Sequence, residues 1–193
     1  SREKVGAVYP VLHHGERPNP WEDGRRSFAP SAGTRGAVIP TGTDDIEVRW
    51  SSSNGALYST APLRDSIAVM DELWMGYEDL ANDISLFEKG WLQLVCREAV
   101  LKDVFDLAPR TLFGRRFHIP EKPAWYSYYN IRNLLLIRSR LGGGVTHPMI
   151  LRKLVQSAAR IVLLEDRKLD RISQLFLGTA AGLLGRSGKG PRP

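Results

Sequence analysis

The strongest constraint on the fold is a change of hydrophobic period near residue 110. Upstream, short strand-like runs alternate with turns and helical segments, whereas downstream of Pro123 the apolar spacing is helical almost to the end. Residues 5–12 form a mostly apolar run closed by polar residues, which reads as a buried strand. Residues 45–50 alternate polar and apolar side chains, and residues 55–58 follow a Ser-Ser-Ser-Asn turn, giving two further strands. Helical stripes follow at 62–73, with Leu63, Ile67 and Met70, and at 77–89, with Leu80, Ile84, Leu86 and Phe87 before the stop at Gly90. Residues 91–96 resume as a strand, and 98–104 read as another. This alternation predicts an α/β layer, a mixed sheet with flanking helices.

After a loop expected at 109–123, residues 125–141 read as one helix stopped by Gly142, Gly143 and Gly144. Residues 148–184 read as one long helix or two shorter ones, ended by Gly185. The expected organisation is therefore an α/β part at 1–109, a basic helical region at 110–185 and a disordered tail at 186–193. Within the first part, residues 13–40 are rich in Gly, Pro, Arg and Ser and are expected to be a mobile loop.

Charge follows the same division. The net charge is +6, but residues 1–109 hold 11 Lys and Arg against 17 Asp and Glu, and residues 110–193 hold 16 against 4. An acidic half of −6 precedes a basic half of +12, and the excess suggests an anionic partner: a nucleotide, a nucleic acid or a membrane surface. With Cys96 as its one cysteine the chain has no disulfide framework, which favours a reducing, cytoplasmic setting. The longest apolar stretch, 172–185, is shorter than the roughly 18–20 residues of a spanning helix and contains Ser173, Gln174, Gly178 and Thr179.

Residues 70–79 are the most informative segment. They place Glu78 and Asp79 in the first turn of a helix, where the positive end of the dipole stabilises carboxylates. Two readings stand: helix capping, or a general base at a loop-to-helix junction that takes a proton from a hydroxyl. Among the aromatics, Trp74, Trp91 and Trp125 suit either core packing or stacking on a sugar ring, and Trp74 is preferred for stacking. Tyr128 and Arg132, four apart on one helix face, suit a sugar or phosphate contact, or hold the helix onto its domain.

Gly55 to Tyr58, the run from Met70 to Glu78-Asp79, and Glu88-Lys89-Gly90 together resemble the acceptor-side half of family-two inverting GT-A glycosyltransferases, especially rhamnosyl- and galactofuranosyltransferases. Tyr128-Tyr129-Asn130-Ile131-Arg132-Asn133 is similar to the signature that follows the catalytic domain in that group, and Gly178 to Lys189 looks like its C-terminal end. The resemblance covers most of the chain beyond residue 50. It implies a partial GT-A-type mixed sheet followed by a helical region, with Asp79 as catalytic base and Glu78, Trp74 and Tyr77 at the acceptor. It further implies a nucleotide-sugar donor, a glycan or lipid-linked acceptor, and a divalent metal, Mg or Mn.

The chain departs from that pattern at Ala81, where the group often carries a second acid, and at Lys102-Asp103, where many members carry a metal-binding His. His118, farther on, reads either as a surface or packing residue or as a substitute metal ligand. No Asp-x-Asp segment follows a strand, since Asp44-Asp45 reads as a turn, so donor and metal are expected to bind mainly to an N-terminal half that these residues lack. On this reading the chain alone is inactive.

The basic helices carry Arg152, Lys153, Arg160, Arg167, Lys168 and Arg171 among apolar residues, a pattern that suits an anionic membrane surface, an oligomer partner or a solvated face. A site at the inner face of the plasma membrane would fit a lipid-linked acceptor. The competing expectations are a non-catalytic module binding nucleic acid, disfavoured by the long aliphatic runs, and a membrane-peripheral assembly subunit.

Overall fold

The computed structural model describes residues 4–14, 17–18, 45–65, 70–103, 107–142 and 144–190. The chain forms two compact units, one made of Ser1–Met70 and Glu78–Val104, the other of Asp71–Tyr77 and Phe105–Pro193. The architecture is α/β, a mixed sheet with flanking helices and C-terminal helices, as the change of period predicts.

The first unit is built on two long strands, β1 (Val5–His14) and β5 (Leu92–Asp103), which pair in parallel. Three short antiparallel strands extend the sheet: β2 (Arg17–Pro18) and β4 (Leu57–Tyr58) on β1, and β3 (Asp45–Glu47) on β5. The two strands expected at 91–96 and 98–104 are one, interrupted in register where Pro10 pairs with Cys96 and Val11 with Val100. Proline has no N–H for the ladder, so a register break at Pro10 loses little. Ala7, Tyr9, Val95 and Leu86 form the core, with Val11, Val48, Ala56, Tyr58 and Trp91 packed against it. Helix α1 is described over Thr60–Asp65, and residues 66–69 of the helix expected at 62–73 lie outside the described residues; α2 (Glu78–Glu88) carries Leu86 onto the sheet. Apart from residues of β1 and β2, the loop expected at 13–40 lies outside the described residues.

In the second unit a short 3-10 turn (Asp71–Leu73) is followed, after the first unit's α2 and β5, by an antiparallel hairpin, β6 (Leu107–Leu112) and β7 (Arg115–Pro120). The hairpin replaces the loop expected at 109–123. Its two-residue turn, Phe113-Gly114, has positive φ at both positions, the backbone that matches strand twist in a tight hairpin. The expected domain boundary after residue 109 therefore falls inside β6.

Three helices complete the unit: α3 (Tyr126–Leu141), α4 (His147–Leu164) and α5 (Lys168–Leu183). Thr146 caps α4, its hydroxyl accepting from the Met149 N–H, and the chain divides at 165–167, where Arg167 is left-handed. Ion pairs hold that corner, with Arg160 on Glu165 at 2.6 Å and buried Arg171 on both Glu165 and Asp166. Helices α3 and α5 meet backbone to backbone, because a Cβ at Gly178 would lie 2.2 Å from the Tyr128 carbonyl oxygen. The tail expected to be disordered is instead bonded through residue 190. The Gly188 N–H donates to the Glu72 carbonyl at 2.7 Å, and the Gly190 N–H donates to the Tyr129 hydroxyl at 2.8 Å.

Candidate functional site

Asp79 stands in the first turn of α2, where the spacing places it. Its half-buried carboxylate accepts the Leu80 N–H at 2.8 Å. Burial is the main cause that raises its pKa above the ordinary carboxylate value; neighbouring Glu78 adds to it, while Leu80 and Trp50 oppose it. Glu78 is exposed on the same turn.

One turn later stands a second carboxylate. Asp83 is wholly buried, its Oδ1 accepting the Tyr9 hydroxyl at 2.6 Å and its Oδ2 the Ser51 N–H at 2.9 Å. Gln93 closes the group, donating to the Asp83 carbonyl at 2.7 Å and lying with Oε1 3.0 Å from the Tyr9 hydroxyl. Burial pushes the Asp83 carboxyl up to about 7 and raises both the Tyr9 and Tyr58 phenols. The signal in the sequence is the i, i+4 spacing of Asp79 and Asp83 among Leu80, Ile84 and Leu86, an acid within the apolar stripe of the helix.

Trp74 and Tyr77 belong to the second unit. Both have left-handed backbones, φ 62° and 69°, which bulky residues adopt at a cost of about 1–3 kcal/mol and keep only where surrounding contacts impose it. Those contacts come from α3. Asn133 donates from Nδ2 to the carbonyls of Leu73, Met75 and Gly76, and the Tyr77 hydroxyl donates to Asn130 at 2.7 Å. Arg132, also wholly buried, donates to the Leu73 and Gly188 carbonyls and to Asn133 Oδ1, with its guanidinium over the Tyr128 and Tyr129 rings.

The motif from Tyr128 to Asn133 thus acts inside its own unit. Of the two readings given to Tyr128 and Arg132, the contacts correspond to holding the helix in place: the guanidinium is enclosed and each of its nitrogens donates to a protein oxygen. Trp74 remains 55% exposed, with the Lys189 ammonium 4.9 Å from its ring centre.

A divalent cation does not fit these residues. No group of three or more His, Cys, Asp or Glu is placed to hold one among the described residues. Both oxygens of Asp83 already accept protein hydrogens. His118 pairs through its backbone with Pro109 in the hairpin, and its side chain lies outside the described residues.

Compared with family models, curated proteins and solved structures, the chain matches none of them.

Proposed function

We propose that this chain is the acceptor-side part of an inverting, nucleotide-sugar-dependent glycosyltransferase in which Asp79 is the catalytic base. The observation that carries the reading is the local one. A half-buried carboxylate of raised proton affinity stands in the first turn of a helix, fixed by the Leu80 N–H it accepts. Rigid placement and a basicity shifted toward neutrality are what a general base requires.

In the proposed step an Asp79 carboxylate oxygen accepts the proton of an acceptor hydroxyl on a glycan or lipid-linked sugar. The freed oxygen forms the new bond to the anomeric carbon as the bond to the nucleoside diphosphate breaks, and the diphosphate leaves with the electron pair. Attack opposite the leaving group inverts the centre. Glu78, exposed on the same turn as Asp79, contacts the acceptor sugar. Donor and the Mg or Mn implied by the resemblance are assigned to residues other than those described, and no step here is routed through the metal.

The test is sugar transfer by the whole gene product carrying Asp79→Asn. Transfer is expected to fall about a hundred- to ten-thousandfold with circular dichroism and unfolding midpoint retained. Transfer within about twofold of the parent would remove Asp79 from the chemistry.

A further inference from the structure

Helices α4 and α5 turn apolar side chains to solvent. Leu151, Val155 and Val162 on α4, and Leu169, Phe176 and Leu183 on α5, are each more than half exposed. On α5 these residues recur every seven positions, with Leu177 and Leu184 exposed beside them, so the outer stripe is as regular as a packed seam. Leu151 and Leu183 line an apolar groove of about 440 Å³, together with Ile131 and Leu135 of α3 and Ile150 and Leu154 of α4. Its volume is in the range of clefts that take small apolar ligands.

Charge selects the occupant. Three of the four acids in residues 110–193, Glu165, Asp166 and Asp170, are engaged by Arg160, Arg171 and Arg167. Exposed Arg152, beside Leu151, and exposed Lys168, beside Leu169, have no acidic partner in an ion pair among the described residues. A second copy would bring the same cations to the seam with no spare acids to meet them. An anionic lipid surface supplies both the counter-charge and the apolar layer.

We infer that the outer faces of α4 and α5 are a docking surface for an anionic membrane, with the two helices lying in the headgroup plane and an acyl chain entering the groove between them. Neither helix crosses the bilayer: among the described residues none is long and apolar enough to do so. The geometry belongs wholly to the second unit, and vesicle binding is read without any transfer, so failure here and failure of Asp79 as base are separate results.

The experiment is co-sedimentation of the chain with vesicles of phosphatidylcholine alone and of equimolar phosphatidylcholine and phosphatidylglycerol. Binding is expected on the anionic vesicles and reduced by salt. The triple variant Leu151→Ser, Phe176→Ser, Leu183→Ser, changed only at exposed positions, is expected to weaken it about a hundredfold, and Arg152→Glu with Lys168→Glu about tenfold or more. Circular dichroism confirms that both variants fold. Absence of vesicle binding, equal binding to neutral and anionic vesicles, or binding untouched by both variants would overturn the proposal. So would either rival occupant without vesicle binding: a dimer in solution that the triple variant dissolves, or salt-sensitive retention of mixed-sequence oligonucleotides.

Discussion

The Tyr9 hydroxyl lies 2.6 Å from Oδ1 of Asp83 and 3.0 Å from Oε1 of Gln93, and its one hydrogen serves one of these acceptors well at a time. With Asp83 ionised, Tyr9 donates to the carboxylate. With Asp83 protonated, the acid donates to the Tyr9 oxygen, and the phenolic hydrogen turns to Gln93. Both protonation states are therefore hydrogen-bonded, in a place where an unpartnered carboxylate would be costly.

That arrangement sets a pH dependence. The Asp83 carboxyl is raised by burial to about 7 in the folded chain, against 3.8 for the ordinary group. Between these values the folded state holds a proton that the unfolded chain has released, so the Asp83 contribution to stability falls as pH rises from about 4 to about 7 and is level above. Asp79 shifts in the same direction, so the comparison must isolate Asp83. The unfolding free energy of the parent minus that of Asp83→Asn, from urea titrations, should decline across this window. Tyr9→Phe should cost about 1–3 kcal/mol, more near pH 8 than near pH 5, because it removes a donor from the charged form.

Asn133 binds three carbonyls of the 71–77 segment with one amide group. Asn133→Ala is expected to destabilise by about 2–3 kcal/mol and to loosen the Trp74 backbone. Denaturant unfolding measures the first effect and amide hydrogen exchange at residues 73–77 the second. Arg132→Lys should be at least as damaging, because an ammonium cannot span the three oxygens that the planar guanidinium reaches.

Gly178→Ala places a methyl group 2.2 Å from the Tyr128 carbonyl oxygen and must part α3 from α5. The expected cost is about 1–3 kcal/mol or more. Gly185→Ala is the comparison: nothing lies within 4 Å, but φ is +65°, so the cost should stay near about 1 kcal/mol. Thermal unfolding of the two variants should rank them in that order.

Ending the chain at Ser187 removes the acceptor that Gly188 offers Arg132, the Gly190 bond to Tyr129 and the cation over Trp74. A loss of about 1–3 kcal/mol is expected, with a change in tryptophan emission. A freely disordered tail would give neither.

Much of the fold was legible because its signals are local. Residues 5–12 are an apolar run and lie in β1; Gly142 stops α3 where glycine was read as a stop; and Glu78 and Asp79 form the first turn of α2, a place that suits acids. Where the local signal was atypical, the reading failed. The turn at 113–114 has Phe before Gly, rather than the Asn or Asp that usually marks such a hairpin. The break between α4 and α5 has no Gly or Pro, so the sequence left one helix or two open, and the two that form are held apart by Arg160 and Arg171 on the acids of the corner. The tail was read from its glycine and proline content, which reports backbone freedom but not the Arg132 guanidinium waiting for the Gly188 carbonyl.

The sequence by itself determined the two periods, the opposed charges of the halves and the helix-starting position of Asp79. Each depends on neighbours a few residues away. Only the tertiary structure decided that Asp83 would be buried against a tyrosine 74 positions distant, and that Arg132 would reach a carbonyl 59 positions upstream. Desolvation and hydrogen-bond satisfaction belong to whatever surrounds a group in space, and the same acid or guanidinium on a helix face is solvated or enclosed according to what the rest of the chain brings against it.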